Sequence, residues 1–137
     1  MEPNYFVLES STATIKVDST TLQLMSYTPK TVPEQEFIAS VAEHPVFLIQ
    51  YLDGNNRYQQ LSSHHAETIS VSREDDAGSS EITAVFSRVG GFDLEVTARV
   101  AVRPERPESR WNIEVSNGAD LRIIDVQYSY VICSYDL

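Results

Sequence analysis

Hydrophobic and polar residues alternate along most of the chain, and segment 92–102 shows this pattern most clearly. Its odd and even positions separate almost completely into polar and apolar residues. Successive side chains of an extended strand point to opposite faces, so the segment is predicted to be a strand with one buried face. Segment 82–87 alternates in the same way. Between the two segments, Gly90 and Gly91 predict a tight hairpin, because glycine adopts positive φ angles readily.

The same combination of alternating segments and turn residues recurs through the rest of the chain. Further strands are predicted at 5–8, 12–17, 21–27, 46–52, 57–61, 68–73 and 111–116, and turns at 53–56, 75–78 and 116–118. After the last turn the alternation changes parity between Ile123 and Ile124, which is typical of a β-bulge or of a strand that changes sheets. Segment 33–43 is predicted to be either a short helix or an irregular crossover loop.

These elements predict an all-β fold, an antiparallel β-sandwich of about nine or ten strands with at most one short helix. A chain of 137 residues fits a single domain, here 1–137. Two interpretations of its end remain open, a natural terminus or the front part of a larger protein. Cys133 is the only cysteine, so the chain has no intrachain disulfide and no cysteine-rich zinc site.

The net charge of the chain limits the classes of partner that it is expected to bind. Its formal net charge is −10, so nucleic acid and anionic membrane surfaces are not expected as partners. The N-terminus lacks the basic and apolar regions of an export signal, and no stretch is long and apolar enough for a transmembrane helix. The chain is therefore expected to be soluble, with its localisation open.

No sequence motif of a well-marked enzyme class is present, and we predict no catalytic residue, cofactor or metal. His64 and His65 are candidates for a polar site. Neighbouring strand residues face opposite sides, and no third ligand is apparent, so solvated or hydrogen-bonded histidines are favoured over a metal site. The chain has 20 acidic residues, so pairs of neighbouring carboxylates are expected by chance and do not indicate a catalytic site.

Aromatic side chains are the candidates for contact with a glycan, because an amphipathic ring packs well against the C–H face of a sugar. Tyr51, Tyr58 and Trp111 are these candidates. Tyr51 and Tyr58 flank the predicted 53–56 turn and are expected to be exposed. Trp111 shares its parity with Ile113 and Val115, which favours a position in the core.

A resemblance adds to this interpretation. The segment that begins at Arg110 and ends at Tyr128, RWNIEVSNGADLRIIDVQY, joins a strand, an Asn-Gly turn and a second aliphatic strand. With the alternating strand before it, the segment resembles the N-terminal β-sandwich of large bacterial glycoside hydrolase-like proteins. The resemblance implies that a (β/α)₈ barrel elsewhere carries the catalytic acids, and that this chain is an accessory part without catalytic residues.

Three functions remain as hypotheses. The first is a non-catalytic module of a carbohydrate-active protein, with a structural role or weak glycan contact and with a catalytic barrel domain as partner. The second is a protein-interaction domain that self-associates or binds a partner through exposed sheet edges. The third is a small mutarotase-like sugar enzyme that uses His64 or His65 with a nearby carboxylate, although such sandwiches are generally longer.

Overall fold

The alternating segments form ten β-strands in the computed structural model, which describes residues 4–32, 34–36, 45–76 and 78–128. The strands are β1 (Tyr5–Glu9), β2 (Ala13–Asp18), β3 (Leu24–Pro29), β4 (Phe47–Leu52), β5 (Tyr58–Ser62), β6 (Thr68–Asp76), β7 (Ser79–Ser87), β8 (Leu94–Val102), β9 (Ser109–Asn117) and β10 (Arg122–Tyr128). Two 3₁₀ turns, Ser63–His65 and Val89–Gly91, are the helical elements of the described residues. The predicted all-β class is confirmed.

The strands form three antiparallel sheets, with the orders β1-β2-β3, β10-β4-β5 and β6-β7-β8-β9. The four-stranded sheet follows chain order, since each of its strands returns beside the previous one. The sheet of β10, β4 and β5 does not, because β10 comes from the end of the described chain and lies beside β4. This long-range pairing brings the β4–β5 and β9–β10 turns to the same end of the molecule.

The core forms where the apolar faces of the sheets meet. Strands β7 and β8 bury every second side chain, and Ala84 lies opposite Ala98 at the centre of their ladder. Phe86 of the four-stranded sheet meets Phe47 of β4 edge to face, with ring centroids 5.0 Å apart. Leu8, Ile15 and Val17 from β1 and β2 belong to the same buried cluster. One core therefore supports all three sheets, as expected for a sandwich.

The turn between β7 and β8 has the positive φ angles predicted from its two glycines, but residues 88–93 form a longer connection with a 3₁₀ turn instead of a tight hairpin. Gly90 and Gly91 have φ angles of 68° and 80°, in the left-handed region. Arg88, just before them, is also left-handed, with a φ of 50°. Only glycine adopts this conformation without steric cost, so the pair favours the return of β8 alongside β7. Strand β8 begins at Leu94, two residues later than the alternation predicts.

The predictions of an irregularity at Ile123 and Ile124 and of a turn at 75–78 have different outcomes. The parity change at Ile123 and Ile124 is confirmed as a β-bulge, because the register between β10 and β4 shifts between Ile123 and Asp125. The predicted 75–78 turn is too long, since Asp75 and Asp76 already pair with Ser80 and Ser79 in the ladder of β6 and β7. Segment 33–43 lies largely outside the described residues, as does Cys133.

Candidate functional site

A cleft on the outer face of the four-stranded sheet has a volume of about 550 Å³. We call it the arginine cleft. Its charged lining comes from β7, from β8 and β9, and from the connection between those last two strands. The charged residues are Glu81, Arg99, Arg103, Arg106, Glu108 and Arg110. The cleft thus holds four of the ten basic residues of a strongly acidic chain.

The register of the sheet explains why a cleft forms at this place. Ala101 of β8 lies between Glu81 of β7 and Arg110 of β9, so the three side chains form one row across the outer face. Cross-strand neighbours on one face lie about 5 Å apart. The short side chain of Ala101 therefore leaves a depression between two long ones, and this depression is the floor of the cleft.

The connection between β8 and β9, residues 103–108, forms one wall of the arginine cleft. The backbone amide of Ser11 donates to the carbonyl of Arg106 over 2.8 Å, and the hydroxyl of Thr12 donates to the carbonyl of Pro107 over 3.0 Å. Pro104 and Pro107 further restrict the connection, because the proline ring fixes φ. The connection is thus held against the β1–β2 turn, and its side chains extend from a restrained backbone.

The arginines of the cleft differ in their partners. Arg99 forms an ion pair with Glu114, with 3.2 Å between its Nη1 and the carboxylate Oε1. Arg103, Arg106 and Arg110 form no side-chain hydrogen bond or ion pair with any other described residue. Three guanidinium groups therefore line the cleft with side-chain donors that no other described residue uses.

The second surface is the outer face of the sheet of β10, β4 and β5, which we call the tyrosine face. It consists of Leu48, Gln50 and Leu52 from β4, Tyr58 and Gln60 from β5, and Arg122, Asp125 and Gln127 from β10. Tyr58 lies opposite Leu52 and is 74 % exposed. Gln60 lies opposite Gln50, and the side chains of this pair make no hydrogen bond within the described part of the chain.

The turn before Tyr58 is organised by the Asp53 carboxylate. It accepts hydrogen bonds from the backbone amides of Asn55 and Arg57, over 2.8 and 3.0 Å, and from the Gln59 side chain over 3.0 Å. The bonds from Arg57, Gln59 and Asn55 hold the pKa of Asp53 below its ordinary value, since they favour the ionised carboxylate. This turn determines where β5 begins and so where Tyr58 is displayed.

Of the three aromatic candidates, Tyr58 alone is displayed openly to solvent. The prediction that Tyr51 is exposed is wrong, because its core-facing position on β4 leaves 9 % of it exposed. Its ring packs edge to face on Phe92, with centroids 5.9 Å apart. Both rings line a smaller cleft of about 340 Å³ beside Asp53 and Asp120.

Trp111 packs against the core, as its parity predicts, and is half-buried. Its indole nitrogen donates to the Ser109 hydroxyl over 2.8 Å, and its ring lies 6.0 Å from that of Tyr128 at a steep angle. The Tyr128 hydroxyl donates to the carbonyl of Arg99 over 2.7 Å, and burial raises the pKa of Tyr128. These two aromatic residues therefore connect β10 and β9 to β8. Their rings are packed against the protein and are not displayed for stacking on a sugar.

His64 and His65 are exposed and lie in the 3₁₀ turn that follows β5. The Nδ1 atom of His65 accepts a hydrogen bond from the backbone amide of Ser62 over 2.9 Å, while the Ser62 hydroxyl accepts from the amide of His64. This arrangement is a capping box, in which side chains satisfy the free amides at the start of a turn. Neither histidine forms an ion pair with a carboxylate in the described residues.

Acidic side chains are abundant, but they do not gather into a metal site in the part of the chain that is described. No three His, Cys, Asp or Glu residues lie close enough there to hold a metal ion. Asp18 shows how such carboxylates are used. Its partial burial favours a higher pKa, yet hydrogen bonds from Thr20 and Thr21 outweigh that effect and lower the pKa. The carboxylate closes the β2–β3 turn.

The edge strand β6 of the four-stranded sheet is a third possible contact surface. Strand β6 pairs with β7 on one side, and the second half of β6 carries Arg73, Glu74, Asp75 and Asp76. Charged residues on an edge strand oppose pairing with another strand. Arg73 also donates to the carbonyl of Val7 over 3.0 Å, which ties this edge to β1. These contacts disfavour self-association at this half of the edge.

Comparisons with known proteins place the chain in no family. No protein-family model matches it, and no curated protein is significantly similar to it. Among the described residues, no helix has the length and apolar character needed to cross a membrane.

The arginine cleft was not predicted from the sequence. No role was predicted for the arginines in and around the connection of residues 103–108. Their spacing contained a signal. Arg99 and Arg110 flank the connection that carries Arg103 and Arg106, so a hairpin of β8 and β9 necessarily brings all four to one end.

Proposed function

We propose that the chain is a non-catalytic β-sandwich module of a carbohydrate-active protein and that it contacts glycan through the tyrosine face. The observation that carries the proposal is the exposure of Tyr58 beside Gln50 and Gln60, whose side-chain amides make no hydrogen bond to a described residue. The resemblance of segment 110–128 to the sandwich of glycoside hydrolase-like proteins supports the choice of carbohydrate as ligand.

The chemistry of the tyrosine face is complementary to a neutral sugar. The Tyr58 ring offers an apolar surface to the C–H face of a pyranose, and it retains a hydroxyl for hydrogen bonding. Each glutamine amide supplies both a donor and an acceptor, as a sugar hydroxyl requires. The face is an open surface that leaves much of a glycan in solvent, so binding is expected to be weak.

Titration of the protein with neutral plant and bacterial oligosaccharides, followed by calorimetry, tests this function. We expect dissociation constants on the order of a millimolar, and about tenfold weaker binding for Tyr58→Ala because the stacking contact is lost. Tyr5→Ala removes a tyrosine from β1, outside the tyrosine face, and is expected to leave binding unchanged. Absence of binding across the panel would reduce the chain to a structural module, and equal binding by Tyr58→Ala would show that glycan binds elsewhere than on the tyrosine face.

A further inference from the structure

We infer that the arginine cleft is a second, separate binding site, and that its ligand is a hydroxylated carboxylate such as a uronate or another sugar acid of one or two rings. The site lies on the four-stranded sheet, whereas the tyrosine face lies on the sheet that packs against it through Phe47 and Phe86. The inference goes beyond the proposed function and does not depend on it.

The distribution of charge indicates an anionic ligand. The chain carries a net charge of −10, yet four of its ten basic residues line one cleft. Arg103, Arg106 and Arg110 have no carboxylate partner in the described residues, although acidic residues are abundant. Positive charges that gather without partners repel one another, and a bound carboxylate would compensate them.

The arrangement of the arginines favours recognition of a planar anion. A guanidinium group presents a rigid fork of N–H donors that matches the two oxygens of a carboxylate. Arg110 extends from the paired strand β9, and Arg106 extends from a connection whose backbone carbonyl is bonded to Ser11. Because both backbones are already fixed, binding orders little more than the side chains.

The acidic residues of the cleft narrow the class of ligand. Glu81 and Glu108 lie among the arginines, where they would repel a ligand of high charge density such as a polyphosphate or a nucleic acid. Carboxylates are strong acceptors for hydroxyl groups, and Asn112 in the lining adds a donor and an acceptor. Donors for a carboxylate and acceptors for hydroxyls occur together in this cleft, and a sugar acid requires both.

The size of the cleft agrees with a small ligand. A volume of about 550 Å³ lies within the range of small-molecule sites, roughly 300–1,000 Å³. Ala101 forms its floor, so a larger side chain at this position would occupy the space without changing any charge. This provides a test of the cleft itself that does not alter the arginines.

Calorimetric titration with glucuronate and digalacturonate, each compared with its neutral sugar counterpart, tests the inference. We expect the acidic sugars to bind and the neutral sugars not to bind in the cleft. Arg106→Gln and Arg110→Gln should each weaken binding about tenfold, since each removes a charge-assisted contact. Ala101→Leu should weaken it comparably by filling the floor. Arg57→Gln changes the net charge equally at an exposed turn outside the cleft and should have no effect.

Each other outcome contradicts the inference in a specific way. Equal binding of sulfate, citrate and uronate would mean a general anion site, and equal losses in Arg57→Gln and Arg110→Gln would mean a nonspecific charge effect. Absence of uronate binding would overturn the site altogether. Tyr58→Ala separates the two proposals, because it should weaken neutral glycan binding about tenfold while leaving uronate binding intact. Thermal unfolding of each variant shows whether it remains folded.

Discussion

The outer face of the four-stranded sheet and the tyrosine face lie over one core, yet their chemistry is different. The first carries guanidinium and carboxylate groups around a cleft, and the second carries a tyrosine, glutamines and leucines on an open surface. Their inner faces, by contrast, are made of the same few types of apolar residue. Both sheets thus need apolar residues on their inner faces in order to pack, while their solvent-facing positions are free to differ.

This difference shows where information about function lies in an antiparallel sandwich. An inner position must fit its neighbours in a packed interior, so its residue reports on packing. An outer position of the same strand has no such constraint. The row of Glu81, Ala101 and Arg110 therefore carries information that the buried row of Ile82 and Val100 does not.

The largest loss of stability is expected from a substitution in the core that lies beneath both faces. Phe86→Ala removes a fully buried ring that contacts Phe47 across the sandwich, and should reduce the free energy of unfolding by about 3–5 kcal/mol. Val85→Ala, at the neighbouring outward position, should reduce it by less than about 1 kcal/mol. Urea unfolding measures both losses. A small loss for Phe86→Ala would mean that the sheets are stabilised separately.

The same distinction explains how much could be predicted from the sequence. Alternation identified the buried face of β7 and β8, because every second residue from Leu94 to Val102 enters the core. Parity also located the bulge at Ile123 and the core-facing side of Trp111. Each of these predictions needed the pattern of one segment and no knowledge of the residues across the sheet.

Predictions failed where the outcome depends on distant parts of the chain. Tyr51 was expected to be exposed because a turn follows it closely, but its strand position places it in the core beside Phe92. The arginine cleft was missed because it depends on the register of three strands and on the anchoring of residues 103–108 by Ser11. The residue pattern of a single segment shows neither the register between strands nor such an anchoring contact.

A moderate loss of stability is expected for substitutions in the β7–β8 turn, where the two sheets are in contact. A methyl group at Gly90 would lie 2.7 Å from Cδ2 of the buried Leu61 on β5, whereas one at Gly91 would have no atom within 4 Å. Both glycines have positive φ, so Gly91→Ala should cost about 1 kcal/mol from backbone strain alone. Gly90→Ala should cost about 1 kcal/mol more because Leu61 must move. Equal losses in urea unfolding would show that Leu61 adapts freely and that this contact does not couple the sheets.

The smallest loss of stability is expected for a substitution in the β4–β5 turn, which precedes Tyr58, and this loss should depend on pH. The hydrogen bonds that lower the pKa of Asp53 stabilise the folded state above the unfolded pKa of about 4, and this stabilisation is lost as the pH falls through the lower folded pKa. Asp53→Ala should therefore lower the melting temperature by a few degrees at pH 7 and by progressively less below about pH 4.

Thermal unfolding of the wild type and Asp53→Ala between about pH 2 and pH 7 measures this dependence. Glu95→Ala removes an exposed carboxylate from β8 that makes no hydrogen bond in the described residues, and it provides the control for a change in net charge. A difference between wild type and Asp53→Ala that stays constant with pH would show that the side chain acts through turn conformation and not through its charge. The display of Tyr58 would then be independent of pH, which would separate the tyrosine face further from the arginine cleft, where the proposed ligand must be ionised.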